Sequence, residues 1–285
     1  MERLHLTAWR EHAPWPKRSQ VEQDLRLARG VIAIFDDEVL REHLAMRGGT
    51  VLHKGHLAPA ARYSEDIDLV LTKPMNTDVL ERHLIRVLEP VLGQPAPSLL
   101  YDAWLTLRNL TQSSKLLSIK FKFVPLGLNN PETIKVDVNL NEHKSLFPFV
   151  EVAFNSLNDD GDLIVGNAIS YDINEMLGTK TRALMQREQG RDLFDLWYAW
   201  DLSSKGQSQH KVDGARAMEA FEWYLLNEGT QLGKAEAEKL LADRLRNRSF
   251  RADMDALLRP GLPQFEIDRA ADTVRAEFLL HLKHD

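Results

Sequence analysis

The first half of the chain contains three short stretches in which apolar and polar residues alternate with a period of two, at residues 66–71, 117–123 and 133–140. Side chains two positions apart on a strand point to the same face, so this alternation predicts three strands with one buried face each. Their polar faces carry Asp66 and Asp68, then Ser118, Lys120 and Lys122, and finally Lys135, Asp137 and Asn139. We therefore expect a sheet with one charged face.

Helical patterns surround these strands. Apolar residues recur three and four positions apart over residues 18–46, which predicts a helix that ends at Gly48-Gly49 because paired glycines interrupt helices. A second helix is predicted over residues 76–93, and the Pro- and Asn-rich stretch 125–131 predicts a hairpin loop.

The remaining pattern changes along the chain. A short strand is predicted around residues 163–165, and the sequence from Asp172 onward is almost wholly helical in character. These elements predict an α/β fold, with a mixed sheet and flanking helices followed by a mainly helical unit. We place a catalytic domain at residues 1–155, whose first 46 residues are a mostly helical lead-in, and a helical domain at 156–285.

Composition narrows the class of protein. The chain has 285 residues, of which 44% are hydrophobic and 27% charged, as is typical of a globular protein with a real core. Its net charge of −6 argues against a uniformly basic wrapper of nucleic acid, and the lack of cysteine excludes disulfides and thiolate zinc sites. Neither a long apolar run nor a signal-peptide core is present, so we expect a cytoplasmic protein without a membrane partner.

The aspartates have the spacing of a metal–phosphate site. Asp66 and Asp68 lie about 7 Å apart along one strand face, and Asp137 takes the same face of another strand. Magnesium prefers oxygen ligands, and two such ions can hold the attacking and leaving oxygens of a phosphoryl transfer. Gly48 and Gly49 let backbone amides approach a triphosphate. The alternative, a solvated sheet face, explains one Asp-x-Asp pair but not the whole set.

These motifs resemble a known family. Gly48-Gly49-Thr50 followed by Arg62-Tyr63-Ser64-Glu65-Asp66-Ile67-Asp68-Leu69 is similar to the first motif of the AbiEii/AbiGii-type (MenT-like) nucleotidyltransferase toxins, within the DNA polymerase β-like superfamily. The similarity extends over roughly residues 30–200 and includes Ile134–Asn139, Lys180–Leu184, Arg187 and Arg191–Leu196. It implies a polymerase β-like fold and an enzyme that transfers NMP from an NTP to an acceptor and releases pyrophosphate.

The resemblance also implies site residues and partners. Metal ligands are expected at Asp66, Asp68 and Asp137, which with Lys180 form the catalytic set. Nucleotide-binding residues are expected at Gly48, Gly49, Thr50, Ser64, Lys135, Lys180, Arg187 and Asp192. The implied cofactor is Mg²⁺, with Mn²⁺ as the alternative. The implied partners are an NTP, an RNA acceptor (the tRNA 3′ end) and a cognate antitoxin protein.

Lys180, Arg187 and Asp192 have a competing interpretation as a solvated basic helix face. For Asp195 the alternative to a role in the site is that it only braces the arginines. Of Lys120, Lys122 and Lys135, we expect one to reach phosphate or the acceptor strand and at least one to be an ordinary exposed lysine.

Four further features carry weaker expectations. Ser64 lies beside the aspartates, where phosphorylation would add competing negative charge and switch the site off. The basic run 244–251 is interpreted as a helix end, with an RNA-backbone grip as the alternative. His53 and His56 are interpreted as loop residues. The tryptophans on helical stripes, Trp197, Trp200 and Trp223, are interpreted as core.

Two other functions remain open from the residues. One is a nucleotidyltransferase that modifies a small molecule or a protein hydroxyl. The other is a catalytically silent nucleotide-binding partner in a defence complex, which the intact set of Asp66, Asp68 and Asp137 argues against.

Overall fold

The computed structural model describes residues 3–107, 110–262 and 265–283. The chain forms two compact units. The first comprises Met1–Ala103, Ser114–Ser145 and Phe149–Tyr171, and the second comprises Trp104–Ser113, Leu146–Pro148 and Asp172–Asp285. The last change of unit along the chain falls between Tyr171 and Asp172. The division into domains at residues 155 and 156 stays a prediction.

One mixed sheet organises the first unit. Its strands are β1 (Leu44–Arg47), β2 (Asp66–Leu71), β3 (Gln94–Pro95), β4 (Leu99–Leu107), β5 (Leu110–Phe123), β6 (Glu132–Asn139), β7 (Val150–Leu157) and β8 (Leu163–Ser170). The strand order is β3-β5-β6-β2-β1-β8-β7, and β4 pairs with β5. The β2–β6 and β1–β8 pairs are parallel, whereas β1–β2, β3–β5, β5–β6 and β7–β8 are antiparallel. This sheet and its flanking helices confirm the predicted α/β fold.

The helices of the first unit are α1 (Arg3–Trp9), α2 (Arg18–Asp36), α3 (Glu38–His43), α4 (Gly48–Val51) and α5 (Thr77–Leu92), with a π-helical turn at Leu52–His56. Helix α2 packs against α5, β7 and β8. Its apolar stripe, which includes Leu25, Val31 and Phe35, is buried, as the helical period predicts.

The prediction of one helix over residues 18–46 was wrong at its C-terminal end. Helix α2 ends at Asp36, and Asp37 then caps α3 by accepting a hydrogen bond from the Leu40 backbone N–H at 3.0 Å. Residues 44–47 form β1 instead, a strand between β2 and β8 whose first three residues are fully buried. A strand buried on both faces shows no alternation, so its sequence resembles a helical stripe. Gly48 and Gly49 therefore begin α4 rather than end a helix.

The three alternating stretches are confirmed as strands. Residues 66–71 form β2, and the other two stretches lie in β5 and β6, joined by the predicted loop. The short strand expected around residues 163–165 is the start of β8, and the helix expected over residues 76–93 is α5. Strands β3, β4 and β7 were not predicted. The first four residues of β4, 99–102, are all exposed, so that part of the strand shows no alternation.

The second unit is mainly helical, as expected from Asp172 onward. It contains α6 (Ile173–Gln186), α7 (Gly190–Ser204), α8 (Gly214–Asn227), α9 (Lys234–Arg246), α10 (Arg248–Ala252), α11 (Ile267–Glu277) and a 3₁₀ turn at Leu279–His281. Helices α6 and α8 pack closely at Gly178, where an added Cβ would lie 2.7 Å from the Ala217 carbonyl oxygen. No helix in the described ranges is long and apolar enough to cross a membrane.

Candidate active site

The parallel pairing of β2 with β6 brings the predicted aspartates together. In this register Asp68 lies directly across from Asp137, and Asp66 lies across from Lys135. Neighbouring strands lie about 4.8 Å apart, and alternate residues share a face, so the three carboxylates project from one small area of the sheet. Between them, Ile67 and Val136 are fully buried on the opposite face. The alternation seen in the sequence thus places the three aspartates on one face of the sheet, and the apolar residues between them pack into the core on the other face.

Asp137 is the most enclosed of the three aspartates, with 9% of its surface exposed. Lys135 Nζ lies 2.8 Å from one carboxylate oxygen, and the Ser118 hydroxyl donates to the other at 2.6 Å. Ser118 comes from β5, where it pairs with Asp137 in the register. The alternation in the sequence put Ser118 on the polar face of its strand, but Ser118 was not predicted to be a site residue. Its position on that face is the signal that could have identified it.

Glycine leaves room for a neighbouring side chain at both positions of the turn after β1. Gly48 has a φ of +83°, and an added Cβ there would lie 2.1 Å from Asp68 Oδ2. At Gly49 an added Cβ would lie 2.4 Å from Nη2 of the buried Arg62. The first glycine therefore keeps the turn in contact with an aspartate of the site, in a backbone conformation that L side chains rarely adopt. The second leaves room for a buried guanidinium that the sequence did not single out.

Thr50 and Ser64 meet at the start of β2. The Thr50 hydroxyl donates to the Asp66 carbonyl oxygen at 2.5 Å and lies 2.8 Å from the Ser64 hydroxyl. Thr50 is fully buried, whereas Ser64 is partly exposed. Thr50 thus fixes the backbone at Asp66, and Ser64 lies at the exposed edge of the same contact.

The site carries an excess of negative charge. Burial, the charge of Asp68 and the nearby Glu65 and Asp137 raise the pKa of Asp66 to about 6, although Lys135 opposes the shift. Burial works against the charge of Lys135, but the hydrogen bond from Lys135 to Asp137 and the surrounding carboxylates outweigh it and raise the lysine pKa. Besides burial, the raised pKa of Asp66 reflects repulsion between neighbouring carboxylates. A cation bound among them would reduce this repulsion.

The three aspartates fit a divalent cation in their chemistry and placement, since carboxylate oxygens are the ligands that such ions prefer. Over residues 3–107, 110–262 and 265–283, no three His, Asp or Glu side chains are already drawn into a metal-binding cluster. The two oxygens of Asp137 are instead engaged by Lys135 and Ser118. The support for metal binding is therefore the strand register and the unbalanced charge.

Tyr101 on β4 is a second residue near the site that the sequence did not identify. Partial burial raises its pKa, and the charges of Asp137 and Asp68 add to the shift while Lys135 opposes it. About 40% of the residue surface is exposed. The tyrosine therefore lies within electrostatic range of the aspartates, on a strand whose sequence gave no signal.

A second cluster of predicted residues lies in the helical unit. Lys180 Nζ is 2.8 Å from Asp195 and 3.4 Å from Asp192. Arg187 binds Asp192 through two hydrogen bonds of 2.7 and 2.9 Å. Both aspartates are fully buried and Lys180 is 5% exposed, whereas the Arg187 side chain is 43% exposed. The structure thus brings Lys180, Arg187 and Asp192 together and adds Asp195, which pairs with the lysine.

The basic run at residues 244–251 is largely engaged with the protein itself. Arg244 is buried and donates to the Leu184 and Met185 carbonyl oxygens at 2.5 and 2.7 Å, which closes the C-terminal end of α6. Arg246 pairs with Asp243, and Arg251 pairs with Asp268. These contacts favour the helix-end interpretation.

Two other expectations differ from the structure. The interpretation of His53 and His56 as loop residues was wrong. Both lie in the π-helical turn at Leu52–His56, with 0% and 3% of their surface exposed, because that turn packs against β7. The tryptophans expected in the core are half-buried instead of buried. Trp197 packs against Phe194 and Phe265, Trp200 against Phe278, and Trp223 against Tyr224.

Solved structures of similar fold include one from Mycobacterium tuberculosis and one from Helicobacter pylori. The MenT4 nucleotidyltransferase toxin of Mycobacterium tuberculosis H37Rv is 15% identical, with a TM-score of 0.61 over 98% of this chain and 90% of that chain. JHP933 from Helicobacter pylori is also 15% identical, with a TM-score of 0.52 over 91% of this chain and 90% of that chain. At this identity the likeness establishes the fold. A comparison with curated proteins found no match.

The family comparison concerns the sequence itself. The model of the AbiEii family, described as a nucleotidyl transferase AbiEii toxin of a type IV toxin–antitoxin system, matches residues 32–276. This range contains both charged clusters and every predicted site residue. Because it covers well over half of the chain, the protein belongs to the AbiEii family of nucleotidyltransferase toxins.

Proposed function

We propose that this toxin transfers NMP from an NTP to an RNA, at the 3′ end of a tRNA, with Mg²⁺ held by Asp66, Asp68 and Asp137. Family membership gives the coarser part: a nucleotidyltransferase toxin with an NTP substrate, a divalent metal and an antitoxin partner. The observation that supports the proposed metal site is the β2–β6 register, which sets Asp68 beside Asp137 with Asp66 two residues away. RNA as the acceptor is proposed from the family resemblance.

The reaction requires an acceptor oxygen to attack the α-phosphorus while the bond to pyrophosphate breaks. The acceptor hydroxyl loses its proton in this step, and Asp137 is the proposed acceptor of that proton. A bound Mg²⁺ would neutralise phosphate charge and favour the deprotonated attacking oxygen. Lys135, paired with Asp137 at 2.8 Å, keeps this carboxylate oriented and is the proposed contact to phosphate.

The glycine turn has a proposed role in admitting the nucleotide. Gly48 and Gly49 lack side chains where Asp68 and Arg62 come closest, so backbone can lie beside the carboxylates. The backbone amides there are the proposed donors to the triphosphate. Thr50 supports them indirectly, because its buried hydroxyl is committed to the Asp66 carbonyl oxygen.

Lys180, Arg187 and Asp192 are proposed to bind the nucleotide as a group. Arg187 is the most exposed member, so it is the proposed contact to the triphosphate, with Asp192 holding it through two hydrogen bonds. The buried Lys180 also pairs with Asp195, and its proposed catalytic role depends on that pair being broken or shared when the nucleotide binds.

Ser64 is the proposed site of an inhibitory modification. Its hydroxyl is partly exposed beside Thr50 and two residues before Asp66, so a phosphate there would add charge to a site already rich in carboxylates. Mass spectrometry after co-expression with the antitoxin tests this, and an unmodified Ser64 in fully neutralised toxin would exclude it.

The function is tested by supplying each α-labelled NTP with Mg²⁺ to separate pools of total RNA, protein and small molecules. We expect label in RNA, concentrated in tRNA, and a loss of about 10³-fold in the Asp66→Asn variant. Asp160→Asn, which changes an exposed aspartate in the turn after β7, is the matched control and retains activity. Label in another pool would refute RNA as acceptor, and undiminished transfer by Asp66→Asn would refute the site.

A further inference from the structure

A basic cavity lies in the first unit, at the N-terminal segment of the chain. Its volume is about 270 Å³, and it is lined by Arg3, Leu6, Thr7, Arg10, Arg18 and Val21. The three arginines are exposed, whereas Leu6 and Val21 are buried and form an apolar floor. The lining contains no acidic residue. This combination of guanidinium groups around a small apolar surface suits a phosphate ester that carries a sugar or a base.

These arginines differ from their neighbours on α2 in having no acidic partner. Arg26 pairs with Glu22 at 2.9 Å, and Arg29 pairs with Asp159 at 3.3 Å. Within the part of the chain that the structure describes, none of Arg3, Arg10 and Arg18 forms an ion pair. A local group of three unneutralised cations is notable in a chain of net charge −6, because the local field rather than the total charge attracts a ligand.

The cavity is also connected in sequence and space to the strands of the active site. Arg18 borders the loop between β5 and β6, since an added Cβ on Gly127 would lie 3.9 Å from its Nη1. On the polar face of β5, Lys120 pairs in register with Lys135, and Lys122 pairs with Thr133. Lys120 and Lys122 are both exposed, so cations continue along this hairpin from the aspartates towards its loop.

We propose that the cavity formed by Arg3, Arg10 and Arg18 binds backbone phosphates of the RNA acceptor, outside the aspartate site. The choice of RNA as the ligand rests on the proposed function. A polynucleotide that reaches the aspartates along β5 and β6 meets Lys120 and Lys122 and then the arginine cavity. Contacts of this kind position the acceptor without reading its sequence.

The test is equilibrium binding of a labelled single-stranded RNA, measured at several salt concentrations, without NTP and with a metal chelator. The variant combines Arg3→Gln, Arg10→Gln and Arg18→Gln. Since each lost phosphate contact changes the slope of log affinity against log salt by about 0.7, we expect the slope to weaken by about 2. The affinity at 0.1 M salt should fall by at least about tenfold.

The matched control removes three ion-paired arginines: Arg246→Gln and Arg251→Gln, which are exposed, and Arg275→Gln, which is half-buried. It changes the net charge equally and should reduce RNA affinity less than about threefold. Equal losses in both variants, or no RNA binding by the unsubstituted protein, would overturn the proposal. Inorganic phosphate is titrated in parallel, and a cavity that binds it while RNA affinity is unchanged by the substitutions excludes RNA as the ligand.

Failure of this proposal can be distinguished from failure of the proposed function. Unsubstituted protein that labels RNA, together with a triple variant that binds RNA normally, refutes the cavity alone. Protein that binds RNA through the cavity but transfers nucleotide only to another acceptor refutes the proposed function alone.

Discussion

The two units each contain a cluster of carboxylates and cations, but the charges are balanced differently. On the sheet, Lys135 pairs with Asp137, and the pKa of Asp66 is raised by burial and by its acidic neighbours. In the helical unit the fully buried Asp192 and Asp195 face two cations, Lys180 and Arg187. One cluster has an excess of negative charge, and the other is balanced within itself.

This difference follows from burial and indicates different roles. A fully buried charge without a partner is costly, so the helical cluster must supply its own counter-charges before the unit can fold. On the sheet, Asp66 and Asp68 are half-buried, so solvent helps to stabilise their charge and they stay accessible to a ligand cation. We therefore expect substitutions in the first cluster to affect catalysis, and substitutions in the second to affect stability first.

The largest expected effect on stability is that of Lys180→Met. This substitution removes the ammonium group that contacts the buried Asp195 and Asp192. We expect the free energy of unfolding to fall by about 3–5 kcal/mol and the Tm by roughly 10 °C. Denaturant and thermal unfolding measure this directly. Asp66→Asn is the matched comparison and should not lower the stability, because it removes one of several mutually repelling carboxylates.

A second substitution separates an ion-pair role of Lys180 from a direct one. In the double variant Lys180→Met, Asp195→Leu the whole pair is replaced by apolar groups, which should restore much of the lost stability. If this stable double variant still lacks transfer activity, Lys180 acts directly on the nucleotide. Activity that returns with stability would show that the lysine only holds α6 and α7 together, and a stable single variant would break the comparison.

Gly48→Ala should have a smaller effect on stability but a large effect on activity. The φ of +83° strains an alanine by about 1–3 kcal/mol, and its Cβ would overlap Asp68 Oδ2. The control is Gly206→Ala, which has a φ of +67° but meets nothing within 4 Å. Both variants should lose similar stability, and only Gly48→Ala should lose NMP transfer. Equal activity in the two variants would show that the turn does not position Asp68.

The contrast between the clusters also explains which features the sequence could reveal. Strand alternation identified β2, β5 and β6, and with them the shared face of Asp66, Asp68 and Asp137, because a half-exposed sheet leaves a period of two in the sequence. The same signal is absent from β1, which is buried on both faces, and from the first four residues of β4, which are all exposed. Tyr101 was missed for that reason.

Partners across the chain were harder to predict than positions along it. The sequence favoured Lys180 through its family motif, but the pairing of its amine with Asp195 depends on how α6 and α7 pack. Ser118 was likewise visible on the polar face of β5, yet its hydrogen bond to Asp137 follows from a register between strands that no local pattern encodes. The family resemblance therefore predicted the type of reaction and its residues, whereas the contacts between those residues depend on how strands and helices pair in the fold.

The smallest predicted effect is a pH dependence of stability that comes from Asp66. Its folded-state pKa of about 6 lies above the ordinary value of 3.8, so the native state binds this proton more tightly than the unfolded chain. The contribution to stability is therefore complete below pH 3.8 and is lost as the pH rises through about 6. After allowance for partial solvent exposure this contribution amounts to about 1 kcal/mol.

The measurement is the free energy of unfolding from pH 4 to pH 7.5 with a chelator present, taken as the difference between the unsubstituted protein and Asp66→Asn. Parallel stability curves for the two proteins would mean that the sheet cluster carries no excess charge, and the distinction between the two clusters would then be lost.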